Sequence, residues 1–417
     1  MAAETLTIDR LGKEGDGVAE TGAAPVFVPF TLPGERVTVA REKSRAVMLS
    51  LLEPAPERIA PACRHFGPDG KNGTCGGCTL QHLEAEAYST FKRQVVVDAL
   101  AAHGLTPPVA PLVTSGPGER RRARFSARRT EQGILLGFSS PESHHIVAIE
   151  ECPVLAPSLF ARLPAVKLLA GILASDSEPF HIAVLETETG LDISFSGLKA
   201  PSEKRRQAAV RAVMTVKGIA RLAIGDEIVV EPVKPALNIA GTKVEPPPAG
   251  FAQATQEAES AMAKLVTSHL KGAKRVADLF SGFGTFALRL AAKSQVHAVE
   301  FDGPALAALD LAVRNRQGLK PVTTERRDLF RRPLMPRELA PYDGLVFDPP
   351  RAGAKEQAAE LAQAKVPRVV AVSCNPATLA RDLAILTEGG YRIEGVTPID
   401  QFFWSAHVEA VAFLTKP

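Results

Sequence analysis

The chain has 417 residues, of which 45% are hydrophobic and 23% charged, and its formal net charge is +3. These values indicate a folded protein with two or three domains, and the total charge does not by itself demand a nucleic-acid partner. No apolar run is long enough to span a bilayer, and the first residues lack the pattern of a signal peptide, so we expect a soluble, cytoplasmic protein. The five cysteines are an odd number, which argues against a disulfide framework.

Residues 1–57 are predicted to form a small β-barrel with an OB-like strand pattern, because short alternating segments are separated by glycine and proline turns. These segments are TLTIDRL, GVAETG, APVFVPF, ERVTVAREK and AVMLSLLEP. A barrel of this kind would contribute affinity for RNA. The prolines Pro54, Pro56 and Pro61 predict a linker after it.

Residues 58–245 are predicted to form an α+β domain. It opens with three of the cysteines and a helix over 80–104, and a second helix is expected over 201–217 between hairpin-like stretches. Six of the ten residues at 120–129 are arginines. The small and aromatic residues between them predict a strand with one arginine-rich face, which is either a solvated surface or a phosphate-binding one.

Residues 246–417 are predicted to form a doubly wound, Rossmann-like α/β domain, because strands alternate with helices. The first strand leads into a glycine-containing turn, and the next three strands end in Glu300, Asp328 and Asp348. Polar groups at this edge of a parallel sheet bind ligands, and a carboxylate after the second strand accepts hydrogen bonds from ribose hydroxyls. The full G-x-G-x-x-G pattern is missing, which disfavours a nicotinamide cofactor and favours S-adenosylmethionine.

The fifth strand of this region, RVVAVS, runs directly into Cys374. A free cysteine at such a place is most often a small buried hydrophobic residue. Three features favour a reactive thiol instead. They are its place on the ligand-binding edge, the sharp turn that Asn375 and Pro376 predict, and the N-terminus of the following helix, which favours a thiolate.

The last strand, HVEAVAFL, contains Glu409 among apolar residues. A carboxylate within a core strand is costly unless it is paired with an arginine or used as a general base. A cysteine nucleophile, a carboxylate base and a methyl donor are together what methylation of pyrimidine C5 requires. That carbon becomes nucleophilic only after a thiolate has added to C6, and a base must then remove the C5 proton.

Five features together resemble the bacterial RNA uracil-5 methyltransferases: SCNPATLARD, DPPRAG, DLFSGFGTF, HVEAV and the cysteine cluster. The resemblance covers essentially the whole chain and is closest to the 23S rRNA branch that has an N-terminal TRAM domain and an iron–sulfur cluster. It implies that Cys374 is the nucleophile and Glu409 the base. It also implies a set of S-adenosylmethionine contacts, namely Gln253, Phe280, Glu300 and Asp348, with Thr285 and Asp328 as neighbours.

The remaining cysteines are Cys63, Cys75, Cys78 and Cys152. A C-x-x-C pair with two further thiols fits either a structural zinc ion or an iron–sulfur cluster, and the spacing does not decide between them. The resemblance implies a 4Fe–4S cluster on these residues. Eleven residues separate Cys63 from Cys75, and this glycine-rich loop is expected to bulge outwards.

The sequence therefore predicts three domains and an enzyme that methylates C5 of a uridine in 23S rRNA through a covalent cysteine–C6 adduct. The target base has to leave its stack to reach Cys374, so a flipped-out uridine is expected. Two alternatives remain: a tRNA uracil-5 methyltransferase, and a non-catalytic RNA-binding protein with a degenerate methyltransferase fold. Nothing indicates a repeated apolar interface, so we expect a monomer.

Overall fold

The computed structural model of the protein describes residues 3–22 and 24–417. Within that part, the strands form three large sheets of six, seven and eight strands and one two-stranded hairpin. No helix in the described ranges is both long enough and apolar enough to cross a membrane.

The six-stranded sheet lies at the N-terminus. Its strands are β1 (Ala3–Thr7), β2 (Arg10–Leu11), β3 (Gly17–Glu20), β4 (Pro25–Val28), β5 (Arg36–Glu42) and β6 (Arg45–Glu53). They pair in the order β1-β5-β6-β4-β3-β2 and enclose a core of their own. The expected single strand TLTIDRL is divided, because Ile8 N–H donates to Glu35 O whereas Asp9 N–H donates to Val18 O.

The central elements run from residue 85 to residue 244. They are α1 (Ala85–Ala101), β7 (Val113–Thr114), β8 (Arg122–Thr130), β9 (Gly133–Ser139), β10 (Ile146–Ala148), α2 (Pro157–Phe160), α3 (Leu163–Leu173), β11 (Phe180–Thr187), β12 (Gly190–Ser196), α4 (Glu203–Thr215), β13 (Ile219–Ile224), β14 (Glu227–Val230), β15 (Leu237–Ile239) and β16 (Thr242–Val244). Seven of the strands form a largely antiparallel sheet in the order β10-β9-β8-β11-β12-β13-β14. Helix α3, which the sequence analysis does not predict, packs Val166 and Leu169 into the core of this sheet.

The C-terminal elements form the eight-stranded sheet. They are α5 (Gln256–His269), β17 (Arg275–Leu279), α6 (Ala287–Leu290), β18 (Gln295–Glu300), α7 (Gly303–Arg314), β19 (Val322–Arg326), α8 (Pro336–Leu339), β20 (Gly344–Phe347), α9 (Lys355–Gln363), β21 (Arg368–Ser373), α10 (Pro376–Glu388), β22 (Arg392–Asp400) and β23 (Glu409–Thr415). The order is β19-β18-β17-β20-β21-β23-β22-β7. Strands β17 to β21 are parallel, and β23 runs antiparallel between β21 and β22. The carboxyl ends of the parallel strands therefore meet at one edge, where open α/β sheets bind ligands.

Helix α1 and strand β7 pack on this C-terminal sheet, although the sequence places them in the central region. Helix α1 begins at Ala85 rather than at residue 80, because the Glu84 carboxylate accepts the first free backbone N–H groups and caps the helix. Val96 and Leu100 on α1 belong to the apolar core of the C-terminal sheet. Strand β7 pairs in parallel with the end of β22. The chain thus contributes to its catalytic domain from two distant segments.

A buried ion pair fastens α1 to the end of β22. Lys92 Nζ lies 2.5 Å from Asp400 Oδ1, and both side chains are fully buried. The Tyr88 hydroxyl donates to Asp400 Oδ2 over 2.6 Å. Burial lowers the pKa of Lys92 to about 8, although Asp400 opposes that effect. The loop that follows Asp400 is therefore held in place from the helix side.

Candidate active site

Cys374 and Glu409 lie beside each other at the ligand-binding edge of the eight-stranded sheet. Cys374 follows β21 and Glu409 begins β23, and the antiparallel register pairs Ser373 with Ala410. That register sets Cys374 opposite Glu409. Asn375 then caps α10, since its Oδ1 accepts from Ala377 N–H over 3.2 Å.

The pKa of Cys374 is raised to about 11, chiefly by burial and then by the nearby carboxylates of Glu409 and Asp348. Arg351 acts in the opposite direction with a smaller effect. The expectation that the N-terminus of α10 favours a thiolate is therefore wrong for the protein alone, because two negative charges and desolvation outweigh it. At neutral pH this thiol is protonated, and a nucleophilic role requires its proton to leave.

Glu409 is only 4% exposed. Burial, followed by the charge of Asp348, raises its pKa to about 8, while a hydrogen bond from Gln401 lowers it. The ion pair with an arginine, which the sequence left open, is not formed by Glu409 among the described residues. A buried carboxyl group whose pKa lies close to neutrality suits a general base.

Two glutamine amides connect Asp348 to Glu409. Gln253 Nε2 donates to Asp348 Oδ2 over 3.2 Å, and Gln401 Nε2 donates to Gln253 Oε1 over 2.9 Å. Gln401 Nε2 also donates to Glu409 Oε1 over 2.5 Å. Sequence reasoning identified three of these four residues and missed Gln401. Its signal was its position, because it directly follows a strand that ends on the same side of the sheet.

Glu300 and the first glycine turn form a second part of the edge. Glu300 Oε2 accepts from Gly282 N–H over 3.0 Å, and its Oε1 accepts from Phe301 N–H and Asp302 N–H over 2.7 and 2.9 Å. Gly282 has a φ of 54°, and no atom lies within 4 Å of the place where a Cβ would stand. The turn therefore leaves room for a ligand against its backbone.

The other predicted cofactor residues lie around this turn. Phe280 has a φ of 59° and packs its ring against Phe330 at 5.5 Å between centroids. Asp328 Oδ1 accepts from Phe330 N–H over 3.0 Å, so Asp328 shapes the loop that carries that ring. Thr285 is half-buried in the turn before α6. The structure brings all three to the same edge, where their described contacts are with the protein itself.

Asp278 adds an unpaired carboxyl group to this edge. It is fully buried, and neither of its carboxyl oxygens has a hydrogen-bond partner among the described residues. Burial raises its pKa well above the usual value, and Asp348 and Glu300 add to that effect. Asp278, Glu300, Asp348 and Glu409 together make the edge strongly acidic. Such a site favours a cationic ligand, and S-adenosylmethionine carries both a sulfonium and an ammonium group.

A cleft of about 1130 Å³ leads to Cys374 from the surface. One wall is the loop before β3 in the N-terminal sheet, another is α1, and the third contains Arg351 and Asn375. The volume exceeds that of an ordinary small-molecule pocket, about 300–1,000 Å³. The cleft can therefore admit part of a macromolecule to the thiol.

The four other cysteines line a separate cavity of about 350 Å³. Cys63, Cys75, Cys78 and Cys152 surround it together with Arg120. Within the described ranges, no three Cys, His, Asp or Glu side chains lie close enough to hold a single metal ion. The thiols thus share one cavity but are too widely spaced for the tetrahedral zinc site that the sequence left open.

The loop between Gln401 and Glu409 joins this cavity to the catalytic edge. Phe402 and His407 line the cysteine cavity, and His407 also lines the cleft that leads to Cys374. Two backbone N–H groups just after Cys78, those of Thr79 and Leu80, donate to Trp404 O over 2.8 and 2.9 Å. The cysteine segment therefore supports the backbone that carries the candidate base.

The arginine-rich strand is β8, but its arginines do not share one role. Arg121 lies 2.5 Å from Glu259 in an ion pair, and the Arg122 guanidinium stacks on the Phe251 ring at 4.3 Å. Arg124 and Arg128 are exposed. A phosphate-binding surface on this strand is thus restricted to fewer side chains than the sequence pattern suggests.

Two family profiles match the chain, the tRNA (Uracil-5-)-methyltransferase family over residues 199–417 and the TRAM domain over residues 3–46. A protein of Rhizobium meliloti, named an uncharacterized RNA methyltransferase, is 60% identical over 100% of both chains. The 23S rRNA (uracil(1939)-C(5))-methyltransferase RlmD of Chromohalobacter salexigens is 33% identical, over 99% of this chain and 90% of its own.

Among solved structures, the fold is similar to that of the Pyrococcus abyssi tRNA (uracil-54, C5)-methyltransferase in complex with S-adenosyl-L-homocysteine. The TM-score is 0.75 at 24% identity, and the match covers 99% of each chain. The similarity therefore extends through the N-terminal and central parts as well as the eight-stranded sheet. Together with the profile matches and the full-length relatives, it follows that the protein belongs to the RNA uracil-5 methyltransferase family, whose members use S-adenosylmethionine.

Proposed function

We propose that this enzyme methylates C5 of a uridine with Cys374 as nucleophile and Glu409 as general base. The observation that carries the proposal is the pairing of β21 with β23, which sets a half-exposed thiol opposite a buried, unpaired carboxyl group at the ligand-binding edge. S-adenosylmethionine, when bound at the acidic edge, supplies the methyl group as an electrophile.

The chemistry needs both side chains in sequence. The Cys374 thiolate forms a bond to uracil C6, which makes C5 nucleophilic, and C5 then takes the methyl group. Glu409 accepts the C5 proton, the electron pair returns to the ring, and the bond between sulfur and C6 breaks. Without the base, the methylated adduct would persist, so each residue has a distinct kinetic signature.

Charge balance at the edge supports this order of events. Glu409 and Asp348 both raise the pKa of Cys374. A cationic ligand beside them offsets the two carboxylates and lowers that pKa, so the thiolate becomes accessible when the methyl donor is present. Coupling of this kind would limit reaction of the thiol in the absence of the donor.

The cysteine cavity is proposed to hold a 4Fe–4S cluster on Cys63, Cys75, Cys78 and Cys152. Thiols arranged around a shared cavity, rather than around one point, fit a polynuclear centre. Arg120 lines the same cavity, and no ion pair with a carboxylate is described for it. A buried guanidinium needs a counter-charge, which an anionic cluster with four thiolates would provide.

The proposed substrate is 23S rRNA. The RlmD relative at 33% identity and the TRAM profile support it. The family profile and the similar archaeal structure are named for tRNA, so tRNA is the alternative substrate. A degenerate, non-catalytic fold is disfavoured because Cys374 and Glu409 stand together. An RNA substrate of either kind implies an enzyme of the cytoplasm.

The test is methyl transfer from labelled S-adenosylmethionine to unmodified 23S rRNA and to unmodified tRNA, followed by nucleoside analysis. Label in 5-methyluridine from 23S rRNA supports the full proposal, and label from tRNA alone overturns the substrate. Cys374→Ala should abolish transfer while S-adenosylmethionine still binds. Retained activity in that variant excludes Cys374 as the nucleophile.

A further inference from the structure

Gln401 is a buried glutamine, 1% exposed, that directly follows β22. Its Oε1 accepts from Ala254 N–H over 2.8 Å. Its Nε2 donates to Gln253 Oε1 over 2.9 Å and to Glu409 Oε1 over 2.5 Å. The amide group therefore has every strong hydrogen-bonding direction but one in use.

The orientation of this amide is fixed by its surroundings. A backbone N–H can only donate, so the atom that faces Ala254 must be the amide oxygen. The nitrogen then points to Gln253 and Glu409. Because Gln253 accepts with its oxygen, its own nitrogen faces Asp348. The direction of every bond between Asp348 and Glu409 thus follows from one backbone group.

Glu409 depends on this donor. The hydrogen bond from Gln401 is its described side-chain hydrogen bond, and it engages Oε1 while Oε2 has none among the described residues. The bond stabilises the charged carboxylate, which is the form that can accept a proton. It also fixes the carboxylate plane, since Gln401 is itself held by Ala254. A base bound by one oxygen has the other available for the substrate proton.

We infer that Gln401 is a positioning residue, which holds Glu409 deprotonated and oriented for removal of the C5 proton. This inference rests on the proposed function. It predicts that loss of Gln401 slows the step after methyl transfer and leaves nucleophilic addition by Cys374 largely intact.

The test compares Gln401→Met with Gln357→Met. Gln357 is an equally buried glutamine, 1% exposed, whose amide bonds only to the backbone of Leu334. We expect Q401M to lower kcat roughly 10- to 100-fold, within the contribution of a general base, and to change KM for RNA by less than about threefold. A protein–RNA adduct that survives denaturing electrophoresis should accumulate in Q401M and not in Q357M. The pH at which proton removal levels off should rise.

Equal kcat, equal pH profiles and no adduct in the two variants would overturn the inference. If Q401M is not recovered folded, Gln401→Glu carries the test, because it keeps the size and places a carboxyl group against Glu409. We expect Q401E to be slower than wild type with accumulated adduct, and wild-type kinetics would equally overturn the inference. Absence of 5-methyluridine with the wild-type enzyme would instead contradict the proposed function.

Discussion

The steps assigned to Cys374 and Glu409 are expected to respond differently to pH. Burial and the charge of Asp348 raise the pKa of Glu409 to about 8. At pH 7 only about one Glu409 in ten is then charged, whereas at pH 9 about nine in ten are. Because only the charged form accepts a proton, removal of the C5 proton should speed up roughly tenfold between pH 7 and pH 9 and then level off.

Addition of the thiol should show no such plateau. The pKa of Cys374 is about 11, so its thiolate fraction rises about tenfold per pH unit up to pH 9.5. Glu409→Gln isolates this step, because the adduct forms in that variant but cannot lose its C5 proton. The loss of one carboxylate shifts its curve to lower pH, while burial and Asp348 keep the slope.

Both steps can be measured under single-turnover conditions between pH 6 and pH 9.5. RNA with tritium at uracil C5 releases label only when that proton leaves, and a denaturation-resistant protein–RNA complex reports the adduct. Cys374→Ala provides the background for both signals. A wild-type release rate that is flat over this range, or that has levelled off by pH 6.5, would refute the reasoning, because Glu409 would then be charged at neutral pH despite its burial.

Three further variants test other parts of the structure. Cys152→Ser should lower the iron content and visible absorbance of anaerobically purified protein, because it removes a proposed cluster ligand; unchanged iron would contradict the ligand set. Lys92→Met leaves Asp400 buried without its cation and should lower the free energy of unfolding in urea by about 3–5 kcal/mol. Adding Asp400→Asn should recover part of that loss, and a change below about 1 kcal/mol for Lys92→Met alone would speak against the buried pair. Arg124→Ala with Arg128→Ala should weaken RNA binding and reduce the slope of log Kd against log salt by about 1.5, whereas an unchanged slope would mean that both side chains only face solvent.

The sheet edge was predictable from the sequence because strand ends carry their own signals. Apolar runs that stop at Glu300, Asp348 or Cys374 place those residues at one edge once the sheet is parallel. The last two strands required more, because β23 inserts antiparallel between β21 and β22. The proximity of Glu409 to Cys374 therefore came from the chemistry that both residues imply together, which the register now supports geometrically.

The remainder depended on contacts between residues far apart in the chain. A single polar residue after a strand, such as Gln401, gives no local pattern until Gln253 and Glu409 are placed around it. The thiol pKa had the wrong predicted direction, because a helix N-terminus is visible in the sequence and burial next to two carboxylates is not. The six arginines at 120–129 likewise read as one surface, yet Glu259 neutralises Arg121.

The ion pair between Lys92 and Asp400 has a consequence for biosynthesis. It joins residues 308 positions apart, and the Tyr88 hydrogen bond to the same carboxylate spans 312. While the chain is being made, α1 therefore presents a buried-type lysine with no counter-charge, and β7 has no strand to pair with, until nearly the last residues emerge. The catalytic edge is thus assembled only when translation is almost complete, so a partly synthesised chain cannot engage RNA productively.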